Sequence, residues 1–176
     1  RDLSAGMAEV IKCGFISDYK ILNLVQDDQI DYESVVYRSI KVKAEVVSED
    51  FKESFAREAL NYGHTLGHAV ELDSHFSLRH GECVAIGMAF MAQLQFDLGL
   101  ITKELADDHT KILTDLGLPI TYKRESWSRL LSHMSVDKKS RGKTLRFVTI
   151  SAIGKTERLE NPDAQVLYSA FEKVSS

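Results

Sequence analysis

The sequence predicts a mainly α-helical domain carrying one small β-hairpin. Three observations support this. Prolines stand only at positions 119 and 162, so long helices meet few breakers. Apolar residues recur at three- and four-residue spacing in segment after segment. One stretch near the C-terminal end is β-type and closes on a Gly-containing turn. At 176 residues the chain can build one substantial core but not two comfortable domains.

The first helix is expected from Ser4, as its N-cap, to about Gly14, with Met7, Val10 and Ile11 on one side. A short second helix follows Ser17 and carries Tyr19, Ile21, Leu22 and Val25. From about Asp31 to Ser48, the positions Val35, Val36, Ile40, Ala44 and Val47 mark a longer helix. Glu58 to Leu72 reads as one helix and Gly81 to Leu98 as another. The latter is apolar around much of its circumference (Val84, Ile86, Met88, Ala89, Met91, Ala92), which predicts a central, buried position. A helix from Lys103 to Leu116 should stop at Gly117, with Pro119 just beyond. Leu145 to Ile150 and Thr156 to Leu159 form the hairpin, turning at Ile153-Gly154. Asn161-Pro162-Asp163 breaks the chain before a last helix with Val166, Leu167, Ala170 and Phe171.

Composition narrows the function classes. A net charge of −4 gives the surface as a whole no attraction to nucleic acid or anionic membrane. No apolar run is long enough to span a bilayer, and the first residues lack the apolar stretch of a secretory signal. Cys13 and Cys83 have no zinc-type spacing and make no disulfide framework, so a reducing, cytoplasmic setting is the default expectation. The chain opens at Arg1 without an initiator Met, which reads as a fragment.

The segment Asn61-Tyr62-Gly63-His64-Thr65-Leu66-Gly67-His68-Ala69-Val70-Glu71 carries the chemistry. On one helix, His64 and His68 stand a turn apart on the same face, and Asn61 joins them. Two histidines at this spacing are weak grounds for a metal, because a solvated polar face looks the same. His80, just before the buried helix, adds a second segment bearing an imidazole. A catalytic zinc site needs three protein ligands and an open position. Glu9 is a candidate for the third, since a carboxylate among Met7, Ala8, Val10 and Ile11 needs a reason for its burial. Lys12, one turn on, reads equally as its ordinary helical ion-pair partner. Lys43, Arg57 and one of Lys138 or Lys139 add cations suited to a phosphorylated, carboxylated small molecule. Spacing alone therefore gives a candidate metal site beside a candidate anion site.

Five blocks of the sequence resemble, in order, the signature segments of 3-dehydroquinate synthase. They are Ala8-Glu9-Val10-Ile11-Lys12, Lys43-Ala44-Glu45-Val46-Val47, Leu60 to Ala69, His80-Gly81-Glu82 and Asp137-Lys138-Lys139. The resemblance implies a zinc ion, with cobalt as a substitute, held by Glu9, His64 and His80. It implies a substrate site of Lys12, Lys43, Glu53, Arg57, Asn61, His68 and a lysine of the Lys138–Lys139 pair, Lys139 being preferred. Among these, Lys12, Arg57, Asn61 and His68 are expected to serve catalysis, and Lys43, Glu53, Lys138 and Lys139 to bind substrate.

The family uses NAD and zinc to turn 3-deoxy-D-arabino-heptulosonate 7-phosphate into 3-dehydroquinate and phosphate in the shikimate pathway. NAD is held mainly by an N-terminal α/β domain. This chain has no G-x-G-x-x-G and no βαβ alternation, so it resembles the C-terminal metal- and substrate-binding domain over residues 1–176, and no cofactor-binding residue is expected in it. The expected partners are the phosphorylated substrate, the N-terminal domain and, in the full enzyme, a second copy. Glu9, Lys12 and the His64 face should then be open to solvent. His75 is a competing ligand or a loop residue. The alternatives are another NAD- and metal-dependent sugar phosphate cyclase, a metal-dependent alcohol dehydrogenase domain, and a non-catalytic helical module.

Overall fold

The computed structural model describes residues 2–49, 56–140 and 144–176, without the side chains of 49, 56 and 136–140. The elements run α1 (Asp2–Ile16), α2 (Tyr19–Leu24), α3 (Tyr32–Glu49), a 3-10 turn (Ala56–Asn61), α4 (His64–Asp73) and α5 (His80–Asp97). There follow α6 (Lys103–Asp115), α7 (Trp127–Ser140), β1 (Arg146–Ala152), β2 (Lys155–Glu160) and α8 (Ala164–Lys173). The class is the expected one, mainly α with a single antiparallel hairpin that turns at Gly154.

Helix α5 is the axis of the fold. It is buried from Gly81 through Gln95 on nearly every side, and α1, α4, α6 and α8 pack around it. Burying side chains such as Phe90 or Met88 completely stabilises the fold by about 1.5–3 kcal/mol each, which explains why so apolar a helix sits at the centre. Helix α7 has no counterpart in the sequence reading. It packs on α4, and its Trp127 stacks on Phe171 of α8 at 4.9 Å.

Three expectations are corrected. Ser4 does not cap α1, which starts at Asp2; there an acidic side chain favours the helix N-terminus and also pairs with Arg79. On α3 the stripe Val36, Ile40, Ala44 and Val47 faces solvent, while Val35, Ser39 and Val42 are buried. Both stripes have helical spacing, so periodicity could not choose between them. The choice follows from α1, whose Cys13 thiol lies against the Ser39 carbonyl at 3.8 Å. Finally, Glu58 to Leu72 is not one helix. It breaks at Gly63, whose φ of 76° ends the 3-10 turn and starts α4. Asn61 therefore does not share a helical face with His64.

A chain of buried polar groups crosses this apolar core. The Leu105 carbonyl can only accept, so His109 carries its proton on Nδ1 (2.7 Å) and presents Nε2 as an acceptor. The Tyr62 hydroxyl donates to that Nε2 at 2.9 Å and accepts from Gln95 Nε2 at 3.0 Å. The Ile150 N–H donates to Gln95 Oε1. Every group is paired in one consistent direction, which is how such groups tolerate burial.

Burial pushes His109 down to about 4 from an ordinary 6.5, and it stays neutral in the fold. As pH falls through about 6.5 the unfolded chain takes up this proton and the folded chain does not. The unfolded state then binds more protons, so stability falls with pH and levels off below about 4. By pH 5 the loss should be on the order of 2 kcal/mol from this group. Urea midpoints at pH 7 and pH 5 measure it, and His109→Gln should flatten the slope. An unchanged slope would exclude His109 as its source.

Candidate metal centre

Helix α4 carries His64 and His68 one turn apart, and α5 begins at His80. The two helices cross closely because glycines line the crossing. A Cβ on Gly87 would lie 1.9 Å from the Gly63 carbonyl oxygen, so nothing larger fits there. This crossing brings the ligating atoms of His64, His68 and His80 within 4.8 Å of one another. Their ring centroids stand 5.2 to 5.8 Å apart.

Glu9 reaches the group from α1. Its Oε2 accepts from Lys12 Nζ at 2.8 Å and lies 3.2 Å from Lys43 Nζ of α3. Its Oε1 is buried without a hydrogen bond and faces His64 Nε2 at 3.4 Å. The imidazole has no proton to offer there, because His64 Nδ1 donates to the Tyr62 carbonyl at 3.0 Å. Two acceptors thus confront each other with no donor between them. His80 likewise turns Nδ1 toward Glu71 Oε2, at 3.4 Å, which leaves its Nε2 free.

The electrostatics agree with this division. Burial works to raise the Glu9 carboxyl, but Lys12, His64 and Lys43 together hold it below the usual carboxylate range. Burial pushes Lys12 below the usual lysine range despite its Glu9 partner. Burial, with the Lys12 charge, pushes His64 down to about 4, leaving a neutral ring with a free lone pair on Nε2. Unprotonated imidazoles and an ionised carboxylate are the forms in which these side chains bind a cation.

The expected residues distribute unevenly. Glu9, Lys12, Lys43, His64, His68 and His80 converge. Lys12 is buried at 2 % exposure and His64 is buried too, against the expectation of an open face, while His68 and His80 are exposed. Lys12 is enclosed because it lies beneath Glu9 on the inner side of α1. Asn61 and Arg57 sit on the 3-10 turn leading into α4, half-buried and exposed respectively. Glu58 of that turn pairs with Arg158 of β2. Glu53 lies outside the described residues, as do the side chains of Lys138 and Lys139, whose backbone ends α7. His75 stands in the loop after α4, exposed and outside the histidine group. Cys83 is buried, and burial pushes its thiol up to about 12, so it offers no thiolate.

Two kinds of residue escaped the sequence reading. Glu71 lies seven positions past His64 on the same helix, a spacing that could have signalled a partner for a neighbouring histidine. His109 stands on an apolar face with Leu105, Ile112 and Leu113, which marks a buried polar group.

Comparison with known proteins decides the lineage. Residues 6–140 match the family model for the 3-dehydroquinate synthase C-terminal domain. The chain belongs to this family. It is 50% identical to a 3-dehydroquinate synthase of Paenarthrobacter aurescens, a match covering 99% of this chain and 50% of that protein. The corresponding enzyme of Streptomyces coelicolor is 46% identical, over 98% of this chain and 50% of its own length. The chain thus spans about half the length of the curated relatives it matches. Among solved structures, 2-epi-5-epi-valiolone synthase of Streptomyces hygroscopicus with NAD+ and Zn2+ bound superposes with a TM-score of 0.84 at 20% identity, covering 98% of this chain and 51% of that one. A 2-deoxy-scyllo-inosose synthase complexed with carbaglucose-6-phosphate, NAD+ and Co2+ gives 0.75 at 20% identity, over 99% and 52%. These two likenesses establish the shared fold.

Proposed function

We propose that this chain is the metal- and substrate-binding half of a 3-dehydroquinate synthase, a carbon–oxygen lyase. Its substrate is then 3-deoxy-D-arabino-heptulosonate 7-phosphate and its products 3-dehydroquinate and phosphate. One observation carries the reading: buried Glu9 Oε1 faces the lone pair of His64 Nε2 at 3.4 Å with no proton between them. That arrangement is repulsive unless a cation lies between the two atoms, and His80 offers a third donor beside them. Glu9, His64 and His80 would hold the ion, which leaves His68 for substrate. Nitrogen and oxygen donors of this kind suit zinc, with cobalt as an alternative. The fold relatives that carry NAD+ with Zn2+ or Co2+ support the same choice.

When bound, the ion supplies a Lewis acid and NAD a reversible hydride acceptor. NAD is assigned to a separate N-terminal domain, since no described segment is a strand–helix phosphate cradle. The chain's own residues position and neutralise. Lys12 keeps Glu9 ionised, and Lys43 stands at the cluster with its head half-exposed, suited to a phosphate or carboxylate oxygen. Exposed His68 and half-buried Asn61 supply hydrogen bonds to substrate hydroxyls, and Arg57 a further cation. Glu53 and the Lys138–Lys139 pair complete the substrate site in this proposal. The substrate phosphate takes up the proton lost next to the oxidised carbon, so no dedicated protein base is required. A reducing cytoplasm suits Cys13 and Cys83, both buried as free thiols.

The test is phosphate release from the heptulosonate phosphate with NAD and zinc supplied. The chain alone should give no turnover, and addition of a separately produced N-terminal half should restore it. Hydride transfer needs the cofactor placed to within about 1 Å, an error of that size costing about a hundredfold in rate. Turnover by the chain alone would refute the division of labour. Preference for another sugar phosphate in a substrate panel would shift the assignment to a different cyclase.

A further inference from the structure

The buried chain of polar groups and the metal centre meet at one residue. Tyr62 gives its side chain to the former and its backbone carbonyl to the latter. Gly63 adopts a left-handed φ of 76°, which takes the Tyr62 carbonyl out of the α4 ladder; that ladder starts with the Gly67 N–H on the Gly63 carbonyl. The freed carbonyl accepts from His64 Nδ1 at 3.0 Å. This bond fixes the His64 tautomer and aims Nε2 at Glu9 and the other histidines.

A carbonyl between a 3-10 turn and a helix has no regular ladder to hold it, so something else must. The Tyr62 ring is fully buried, and its hydroxyl is gripped from both sides, by Gln95 of α5 and His109 of α6. Gln95 is fixed in turn by the Ile150 N–H of β1, and His109 by the Leu105 carbonyl and a stack on Phe15 with centroids 3.5 Å apart. Two elements thus hold the Tyr62 hydroxyl directly, α5 through Gln95 and α6 through His109, and two more, β1 and α1, hold those partners.

We propose that Tyr62, Gln95 and His109 are positioning residues for the metal centre, acting on His64 through the Tyr62 carbonyl. The inference rests on the cation reading given above. Outer partners of a ligating imidazole usually matter to metal affinity by about ten- to a hundredfold. Loosening the chain should produce a loss in that range without removing a ligand.

The experiment compares the parent chain with Tyr62→Phe and His109→Phe. The latter keeps the aromatic stack on Phe15 and deletes both histidine hydrogen bonds. Phe171→Leu, in the core on α8, serves as a destabilised control that takes no part in this hydrogen-bonded chain. Zinc affinity is read by competition with a chromophoric chelator, and the His64 tautomer by nitrogen NMR of the metal-free protein. The parent should show the Nδ1–H form of His64. Both chain variants should bind zinc ten- to a hundredfold more weakly and show His64 shifting toward the Nε2–H form, with the control unchanged in both readouts. Equal weakening in the control, or an unmoved His64 tautomer in whichever chain variants fold, would overturn the proposal. A parent that binds no zinc, with the tautomer shift still seen in the variants, would instead refute the metal reading and leave the positioning of His64 standing.

Discussion

Replacement of His64 by Ala should weaken zinc binding by roughly a hundredfold to a thousandfold. Structural zinc sites release about 10–16 kcal/mol through four ligands, or about 2.5–4 kcal/mol for each. His64 is the donor that touches every other part of the centre: Glu9 at 3.4 Å, and the rings of His68 and His80 at 5.2 and 5.3 Å. His75→Ala changes an exposed loop histidine outside the group and should leave affinity unaltered. Calorimetric titration of both variants decides the matter. Equal affinities for His64→Ala and the parent would remove the centre from the account, since no rearrangement of the remaining donors restores a three-ligand set that includes Glu9 and His64.

Gly87→Ala should be strongly destabilising for the addition of a single methyl group. The new Cβ would stand 1.9 Å from the Gly63 carbonyl oxygen and 3.0 Å from the Gly67 nitrogen. Both are backbone atoms, so no side chain can swing aside, and α5 must back away from α4. We expect about 3 kcal/mol of lost stability, at the upper end of overpacking. Because His80 travels with α5 and His64 stays with α4, zinc affinity should fall in the fraction that still folds. Thermal denaturation and zinc titration measure the two effects. Gly99→Ala is a useful contrast, since its Cβ meets nothing within 4 Å. Gly99 has φ of 69°, so backbone strain alone is tested there. A Gly87→Ala protein as stable as the Gly99→Ala protein would show that the crossing is loose.

What could be read from the sequence follows the range of the interactions involved. The helical partnership of His64 with His68 and the central place of α5 depend on local spacing, and both are found, while Glu9 is half-buried with one carboxylate oxygen enclosed. Helix α7 was equally legible, since Trp127, Leu130, Leu131 and Met134 repeat at helical spacing. The break at Gly63 was not. It depends on α5 crossing twenty-odd residues later in sequence, and periodicity across Asn61 to Leu66 runs on as though the helix were continuous. The buried stripe of α3 is decided by α1 in the same way. Gln95, Tyr62, His109 and Ile150 come from four separate stretches, and no window along the chain contains their pairing.

Two lysines meet the same oxygen of Glu9, and they differ in freedom. Lys12 is 2% exposed and Lys43 is 43% exposed at the side chain. Ordering a free lysine side chain costs up to about 2 kcal/mol of rotamer entropy. In Lys12 that cost is met when the protein folds, so its charge is a fixed fixture that an arriving anion finds already in place. Lys43 keeps most of its rotamers until something engages it. An anion captured there must supply the ordering entropy itself, but in return Lys43 can follow a ligand through changes of shape that the rigid ammonium beneath it could not track.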